Sequence, residues 1–569
     1  MRLSGAQAIV RGLIEQGVDT VFGYPGGAVL PLYDALYEHR DTIAHYLTAH
    51  EQGAAHAADG YARATGKAGV VFATSGPGST NLVTGIAAAF MDSVPVIAVT
   101  GNVGSTFIGK DSFQEVYTTG ITLPITKHNF FVQDAEELPA VLREAFAIAM
   151  GGRKGPVLID VTKDAQAAFC EWKTGEAGAG EAATQTDVSA DDLDAVLTAL
   201  AASTRPLVLF GGGVISADAS EELREFLHML QVPAAHSIMG IGALEPDDAL
   251  DVGLVGMHGR LSGNRALAEA DLVVAMGFRF SDRVALDREH WASQAHIVHI
   301  DIDPSEIDKN IGADRAVIGD IRAVLQALLG RMRLYGTPCP DTAPWRTLIA
   351  SWRAKDYRPA EDGTALRPHQ IIGAIAEVAG PDAILTTDVG QHQIWAAQYS
   401  RQGRPRSFLT SGGLGAMGFG YGAAIGAQIG AGGIGADKGA GRRPVIHITG
   451  DGSFHMNLNE ACTAVSYRLP IVSVIFNNRA LGMVRQWQRS FYDAHYCATT
   501  LDRATDYVKV AEGFGAEGIR TTTIAEFKAA LVHALAACGP VWIECVIDRD
   551  EQVLPMIPVG NGVDDVVLN

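Results

Sequence analysis

The sequence predicts an α/β protein made of three doubly wound parallel-sheet domains. Three observations carry that prediction. Short apolar, β-branched runs alternate with helical, small-residue segments, which is the pattern of a parallel sheet covered by helices on both faces. Those runs end in tight Gly/Pro turns, in keeping with 64 glycines in the chain. Two aperiodic stretches divide 569 residues into pieces of single-domain size. The expected units are residues 1–168, 188–345 and 366–550, with a tail at 551–569.

In the first unit, Met1-Arg2-Leu3-Ser4-Gly5 is expected to open directly into an amphipathic helix. Asp19 to Gly23 reads as a strand, with Tyr24-Pro25-Gly26-Gly27 as its turn. Ile43–Leu47 is the next strand, followed by a helix starting near His50-Glu51-Gln52-Gly53. Ala68–Thr74 is a strand ending in Ser75-Gly76-Pro77-Gly78, and Val94–Thr100 and Pro156–Val161 complete the sheet. From Phe169 to Thr186 the Gly/Ala/Glu-rich composition reads as a linker. In the second unit Pro206–Phe210 leads into Gly211-Gly212-Gly213, and Leu272–Met276 and His296–Ile302 are later strands. A glycine triplet after a strand is a weak nucleotide signal, since plain turns are as common. Tyr335 to Asp362 reads as a second linker.

The third unit opens with the strand Ala383–Thr387 and the turn Asp388-Val389-Gly390-Gln391-His392. Gly430 to Gly441 reads as a surface loop, and the tail as irregular. At its centre, the buried-strand pattern Pro444–Thr449 runs into Gly450-Asp451-Gly452-Ser453. A helix is expected from there through Val465, and the strand Ile471–Phe476 then delivers Asn478. Asn478 follows Asp451 by 27 residues, about one strand–helix–strand unit. A carboxylate and an amide at adjacent strand ends make an all-oxygen site suited to magnesium, which normally arrives with a diphosphate. Gly-Asp-Gly alone is an ordinary turn; the spaced asparagines and flanking strands make the signal specific.

Bulk properties narrow the function. A net charge of −20 argues against nucleic acid or an anionic membrane as the main partner. Six scattered cysteines with no Cys-x-x-Cys fit reduced thiols better than a disulfide framework or a zinc site. The start of the chain lacks a signal peptide's apolar core, and no apolar run reaches membrane-spanning length. A cytoplasmic setting is expected.

The spaced Gly-Asp-Gly and Asn-Asn resemble the cofactor motif of thiamine-diphosphate enzymes, and His50-Glu51-Gln52-Gly53-Ala54 resembles their glutamate motif. A lone glutamate at a helix start more commonly just balances the helix dipole. Here the resemblance implies that Glu51 sits against the cofactor's aminopyrimidine ring, while the carbanion chemistry belongs to the cofactor. Further motifs are Thr74-Ser75-Gly76-Pro77-Gly78, Asp111-Ser112-Phe113-Gln114-Glu115, Gly256-Met257-His258-Gly259, Gly415-Ala416-Met417-Gly418 and Met483-Val484-Arg485-Gln486-Trp487-Gln488. With these, nearly the whole chain resembles the catalytic large subunits of the acetohydroxyacid (acetolactate) synthase family. Ala49, Tyr117, Lys154, Thr162, Gly422 and Ser281 depart from the family's usual residues, and none is a metal ligand or Glu51.

The resemblance implies roles residue by residue. Asp451, Asn478 and the Ala480 carbonyl would bind magnesium. Gly390, Gln391, His392, Gly452 and Ser453 would hold the diphosphate, with Met417 buttressing the bent cofactor and Met483 beside it. Tyr24, Pro25 and Gly26 would line the pyrimidine side from a partner subunit together with Glu51, so the enzyme would be a homodimer or homotetramer with shared sites. Phe113, Gln114 and Lys163 would face the reacting centre. Arg283 would pair with the acceptor carboxylate, and the Trp487 indole would favour 2-ketobutyrate over pyruvate. Each of these is bland when read alone: core aromatics, a solvated lysine, a surface arginine. The central unit would carry FAD, without a redox role in turnover, at Arg153, Gly211, Gly212, Gly213, Ser237, Ile238, Met257, His258, Gly277, Arg279, Asp301, Ile302, Gly319 and Asp320. The implied reaction decarboxylates pyruvate and joins the remainder to pyruvate or 2-ketobutyrate, giving 2-acetolactate or 2-aceto-2-hydroxybutyrate for branched-chain amino-acid synthesis. A regulatory small subunit is the implied partner. A pyruvate-oxidase-like enzyme using the same cofactors and a non-catalytic paralogue are the rival readings. Trp487 and Arg283 weigh against the first, and intact Glu51, Asp451, Asn478 and Gln114 against the second.

Overall fold

The computed structural model describes residues 1–173, 188–287, 291–336, 340–359, 365–432, 443–558 and 560–568. Three six-stranded parallel sheets organise them. The first runs, in spatial order, Ala44–Leu47, Thr20–Gly23, Gly69–Ala73, Val96–Asn102, Val157–Thr162, His128–Val132. The third runs Phe408–Thr410, Ile384–Thr387, Val445–Gly450, Ile471–Asn477, Val541–Val546, Glu517–Thr521. Numbered along each unit, both sheets have the order 2-1-3-4-6-5, so the similar layout expected of these units extends to their topology. The central sheet runs Asp251–Leu254, Ala234–His236, Pro206–Phe210, Leu272–Met276, His296–Asp301, Arg315–Ile318, the order 3-2-1-4-5-6. In such sheets ligands bind beyond the carboxyl ends of the strands where the order reverses. Those points are Tyr24 and Thr74 in the first sheet, Gly211 and Gly277 in the second, and Asp388 and Asp451 in the third.

The inner strands are apolar on both faces because helices cover both; Ile471–Asn477, for example, is buried throughout. The first and third units pack through one helix pair, Glu51–Thr65 against Phe419–Gly430. The approach is close because the contact residues are small. A Cβ on Gly426 would stand 1.8 Å from the Ala57 carbonyl oxygen, and one on Gly60 would stand 2.2 Å from that of Ala423. The alanine-rich face beginning at Glu51 is therefore a docking face that fixes the glutamate's helix on the third unit.

Several expectations are corrected. Arg2–Ser4 is not the start of the first helix; it is a strand paired antiparallel with Phe169–Glu171, and the helix runs Gly5–Glu15 with Ser4 as its cap. The supposed linker thus begins only after Trp172, which is buried with Cys170. Three-residue strands are too short to show a period, and their pairing is long-range. His128–Val132 adds an edge strand absent from the expected set; only its last residue, Val132, is buried. The helix expected from Asp451 through Val465 is broken into Asp451–Asn457, a 3-10 turn Leu458–Glu460, and Ala461–Ser466. The break turns Asn457 toward the Gly418 carbonyl, to which it donates at 2.8 Å, and sends Glu460 inward.

The second expected linker contains the helix Ala343–Arg353, which packs on the helix Leu261–Glu269 of the central unit. Its buried Trp345, Ile349 and Trp352 form one apolar face, and Trp345 Nε1 donates to the Pro206 carbonyl at 3.1 Å. Trp345→Ala is expected to cost about 3–5 kcal/mol, read as a lower denaturation midpoint of the central unit by tryptophan fluorescence. The expected Gly-rich loop from 433 on, most of the first linker and Cys339 lie outside the described residues. The tail has little regular structure, yet Val553, Leu554, Met556 and Ile557 are buried between the third and central units.

Candidate active site

The turn after Val445–Gly450 brings Asp451 to a small cavity of about 90 Å³. Its lining comes wholly from residues 389–484 and includes Gly390, Gln391, His392, Met417, Gly452, Ser453, Asn478, Ala480 and Met483. The structure thus gathers the expected metal and diphosphate residues in one place. Gly452 N donates to Asp451 Oδ1 at 3.0 Å, and Ala480 N donates to Asn478 Oδ1 at 3.1 Å. Burial pushes the Asp451 carboxyl up to about 7, because no cation pairs with it closely enough to offset the desolvation. A divalent cation would supply that charge.

His392 fits a diphosphate in a second way. Burial lowers its imidazole to about 4, so the ring is neutral at pH 7, and its buried Nε2 has no partner. An orphaned ring nitrogen beside a buried carboxylate is a polar atom waiting for a ligand. Among the described residues no cluster of three or more His, Cys, Asp or Glu could hold a metal. The set at Asp451 is of another kind: one carboxylate, one amide and one main-chain carbonyl, which suits magnesium completed by diphosphate oxygens and water.

Asp388 and Gln486 lie in segments quoted from the sequence but are given no role there, and both belong to the surrounding scaffold. Asp388, fully buried, accepts from Gly420 N at 2.6 Å and from Thr449 Oγ1 at 2.5 Å, and lies 3.4 Å from His447 Nε2. Burial pushes its carboxyl up, but His447 and Thr449 outweigh this and hold it at about 2. Gln391 Nε2 donates to Gln486 Oε1 at 2.9 Å and to the Glu551 carbonyl at 2.8 Å. Gln486 in turn exchanges two hydrogen bonds with the main chain of Val553, so the tail locks the turn at Gly390 from behind. The available signal for a buried, paired carboxylate was its place at the end of a buried strand, beside a strand carrying His447 and Thr449.

Glu51 is the first residue of its helix and is buried at 9% exposure. Its Oε2 accepts from Asn81 Nδ2 at 2.9 Å, and a Cβ on Gly78 would come within 3.3 Å of its Oε1. Gln114, at φ +59°, packs its main chain against Gly76. Yet neither Glu51, Tyr24, Pro25, Gly26, Phe113, Gln114 nor Lys163 lines the Asp451 cavity. Phe113 is 88% exposed, Tyr24 is 42% exposed, and Pro25 and Lys163 also face outward. Within one chain the Glu51 group and the Asp451 cavity therefore stand apart.

A second, larger cavity of about 810 Å³ opens where all three units meet. Arg153, Gly212, Gly213, Ser237, Ile238, Met257, His258, Gly277, Arg279, Asp301, Ile302 and Asp320 all line it. Gly211 and Gly319, expected with them, do not; their main-chain N–H groups donate to Met276 O and Asp301 O, which leaves them among the strand ends behind the wall. Gly277, at φ +52°, crosses Gly213 so closely that its Cβ would stand 2.6 Å from the Gly213 Cα. Arg153 reaches in from the first unit and pairs with Asp303 at 3.1 Å and Glu306 at 2.6 Å. Burial raises the Asp301 carboxyl to about 6. Arg283 and Trp487 line the same cavity, with the guanidinium carbon 6.0 Å from the indole centre. Val389, Gly390 and Met483 line both cavities, so this pair adjoins the Asp451 site.

Comparison with known proteins places this geometry. Residues 3–121 match the thiamine pyrophosphate enzyme N-terminal TPP binding domain, 193–328 the thiamine pyrophosphate enzyme central domain, and 388–545 the C-terminal TPP binding domain. The acetolactate synthase large subunit of Parasynechococcus marenigrum is 45% identical, over 98% of this chain and 90% of its own length. The chain belongs to the acetolactate synthase large-subunit family. The acetolactate synthase isozyme 2 large subunit of Escherichia coli is 43% identical over 98% of both chains, and the probable acetolactate synthase large subunit of Methanocaldococcus jannaschii is 42% identical over 99% of this chain and 95% of its own. The N-terminal match takes in four strands of the first sheet, the C-terminal match all but the first strand of the third, and the central match the sheet that walls the larger cavity.

Proposed function

We propose that this chain is the catalytic subunit of an acetolactate synthase, joining pyruvate to a second 2-ketoacid. The observation that carries the reading is the adjacency of two recognition features. Arg283 and Trp487 stand together on a wall shared with the Asp451 cavity. A guanidinium matches a 2-ketoacid carboxylate, and an indole face matches the alkyl end of an acceptor.

Bound thiamine diphosphate supplies the electron sink for decarboxylation and carbon–carbon bond formation. The chain's residues do the rest. Asp451, Asn478 and the Ala480 carbonyl would hold magnesium, and His392 would donate to a diphosphate oxygen through Nε2 once that anion offsets the burial and lets the ring take a proton. Glu51, oriented by Asn81, would hold the proton to be exchanged with the aminopyrimidine ring. Gln114 and Lys163 bond the polar groups of the reacting ketoacid, and Phe113 shields it from water. Because Glu51 and Asp451 occupy separate half-sites, the active centre is completed by a second copy, with Tyr24, Pro25 and Gly26 facing the partner. FAD fills the larger cavity, whose volume is in the range of cofactor sites. Its place between three units suits a structural role. The three sheets support the domain bounds 1–168, 188–345 and 366–550, extended to take in the strand Phe169–Glu171 with the first unit and the helix Ala343–Arg353 with the central one. A regulatory small subunit is the expected partner. Among the described residues no helix is long and apolar enough to cross a membrane, in keeping with a cytoplasmic enzyme.

The test is product analysis from pyruvate with thiamine diphosphate, magnesium and FAD under air. Acetolactate without oxygen uptake supports the reading; peroxide as the main product overturns it. Trp487→Leu is expected to lower the ratio of acetohydroxybutyrate to acetolactate from mixed ketoacids by about tenfold or more, the worth of roughly one methyl group's contact. Acetolactate formation from pyruvate alone should persist.

A further inference from the structure

Glu460 is a carboxylate with no solvent exposure, in the turn Leu458–Glu460 that breaks the helix after Asp451. Among the described residues no lysine or arginine pairs with it. A buried charge without a cation is costly, so a chain that keeps one needs it for something. Its oxygens point at the first unit. Oε1 accepts from His50 N at 3.0 Å, and Oε2 accepts from Ala49 N at 3.2 Å and from Thr463 Oγ1 at 2.7 Å. Residue 53 is glycine where this carboxylate passes; a Cβ there would stand 2.0 Å from Oε1. A further bond ties the same segment to the third unit: Leu47 N donates to Tyr467 Oη at 2.8 Å. The main chain immediately before Glu51 is therefore held by side chains some 410 residues away.

We propose that Glu460 is a positioning residue for Glu51: it grips the Ala49 and His50 amides and so fixes where the glutamate carboxylate meets the cofactor. The inference rests on the role assigned to Glu51 above. Burial raises the Glu460 carboxyl to about 6 while the two main-chain amides lower it, so at neutral pH the amides face an anion. Glu460→Gln replaces one acceptor by an NH₂ that confronts a main-chain N–H, and the segment must shift. Misplacing a reacting group by about 1 Å costs roughly a hundredfold in rate.

The experiment measures deuterium exchange at C2 of thiamine diphosphate bound to the magnesium-loaded holoenzyme, with cofactor affinity alongside. Glu460→Gln is expected to slow C2 exchange by about a hundredfold, with thiamine-diphosphate affinity unchanged. In the cofactor-free protein, the amides of Ala49 and His50 should lose protection from hydrogen exchange. Gly53→Ala leaves Glu460 in the chain but drives its carboxylate off the amides, and should show the same losses; it serves if Glu460→Gln does not fold. Wild-type C2 exchange in either variant with those amides unprotected overturns the proposal. So does a slowing that merely tracks lost cofactor affinity. Failure of the underlying reading has a different signature, in which Glu51→Gln itself leaves C2 exchange at the wild-type rate.

Discussion

Glu51→Gln is expected to lower turnover of pyruvate by about a hundred- to ten-thousandfold, the range set by loss of one positioned acid–base group. Glutamine keeps the volume and can still accept from Asn81 Nδ2, which now meets Glu51 Oε2 at 2.9 Å. The helix from Glu51 to Thr65 docks through its small residues rather than through the carboxylate, so the fold should be unaffected. The substitution thus removes a proton carrier and little else. The check is steady-state turnover together with thiamine-diphosphate affinity. The loss should appear in kcat, and the affinity should stay near wild type.

Asp451→Ala is expected to have the opposite profile, abolishing binding rather than chemistry. The carboxylate is the one charged group among the three expected magnesium donors, and without magnesium the diphosphate loses its anchor. In the wild-type protein, ligands at about a hundred times their dissociation constant add about 2.7 kcal/mol of stability. That stabilisation, read as a rise in Tm on adding thiamine diphosphate and magnesium, should disappear in the variant. Ligand-free, the variant should be no less stable than wild type, because burial already disfavours the Asp451 carboxylate when no cation is present. A ligand-free Tm that holds while the ligand shift is lost separates a binding role from a structural one. Chelation of magnesium from the wild type should reproduce the lost shift.

What the sequence shows of this molecule follows the range of the forces involved. Strands such as Ile471–Asn477 are legible because burial on both faces leaves a β-branched, largely apolar run interrupted only by Ser473 before Asn477. The cavity around Asp451 is legible because its donors lie at the ends of adjacent strands, so linear spacing maps onto space. Pairings that depend on distant partners are not. Arg2–Ser4 is a strand only because Phe169–Glu171 lies beside it, and no local pattern announces that. The helix Ala343–Arg353 was hidden behind prolines and charges, although Trp345, Ile349 and Trp352 carry the helical spacing that betrays it. Glu460 falls inside the helix expected from Asp451 through Val465, and nothing in the local sequence marks it as buried. Its inward turn depends on the break at Asn457 and on the glycine at 53, two features far apart in the chain. Gly211 and Gly319 were expected at the flavin site by family resemblance alone, and neither lines the larger cavity; their main-chain N–H groups are tied to neighbouring strand ends.

Subunit complementation tests the central claim, that each active centre takes Glu51 from one chain and Asp451 from another. Glu51→Gln and Asp451→Ala proteins, each inactive alone, are mixed, allowed to exchange subunits, and assayed for acetolactate. In a mixed dimer one centre carries both lesions and the other carries neither, so random exchange should restore about a quarter of wild-type activity. If both residues served a centre within their own chain, every centre in the mixture would stay broken, and the absence of any recovered activity after exchange would contradict the account.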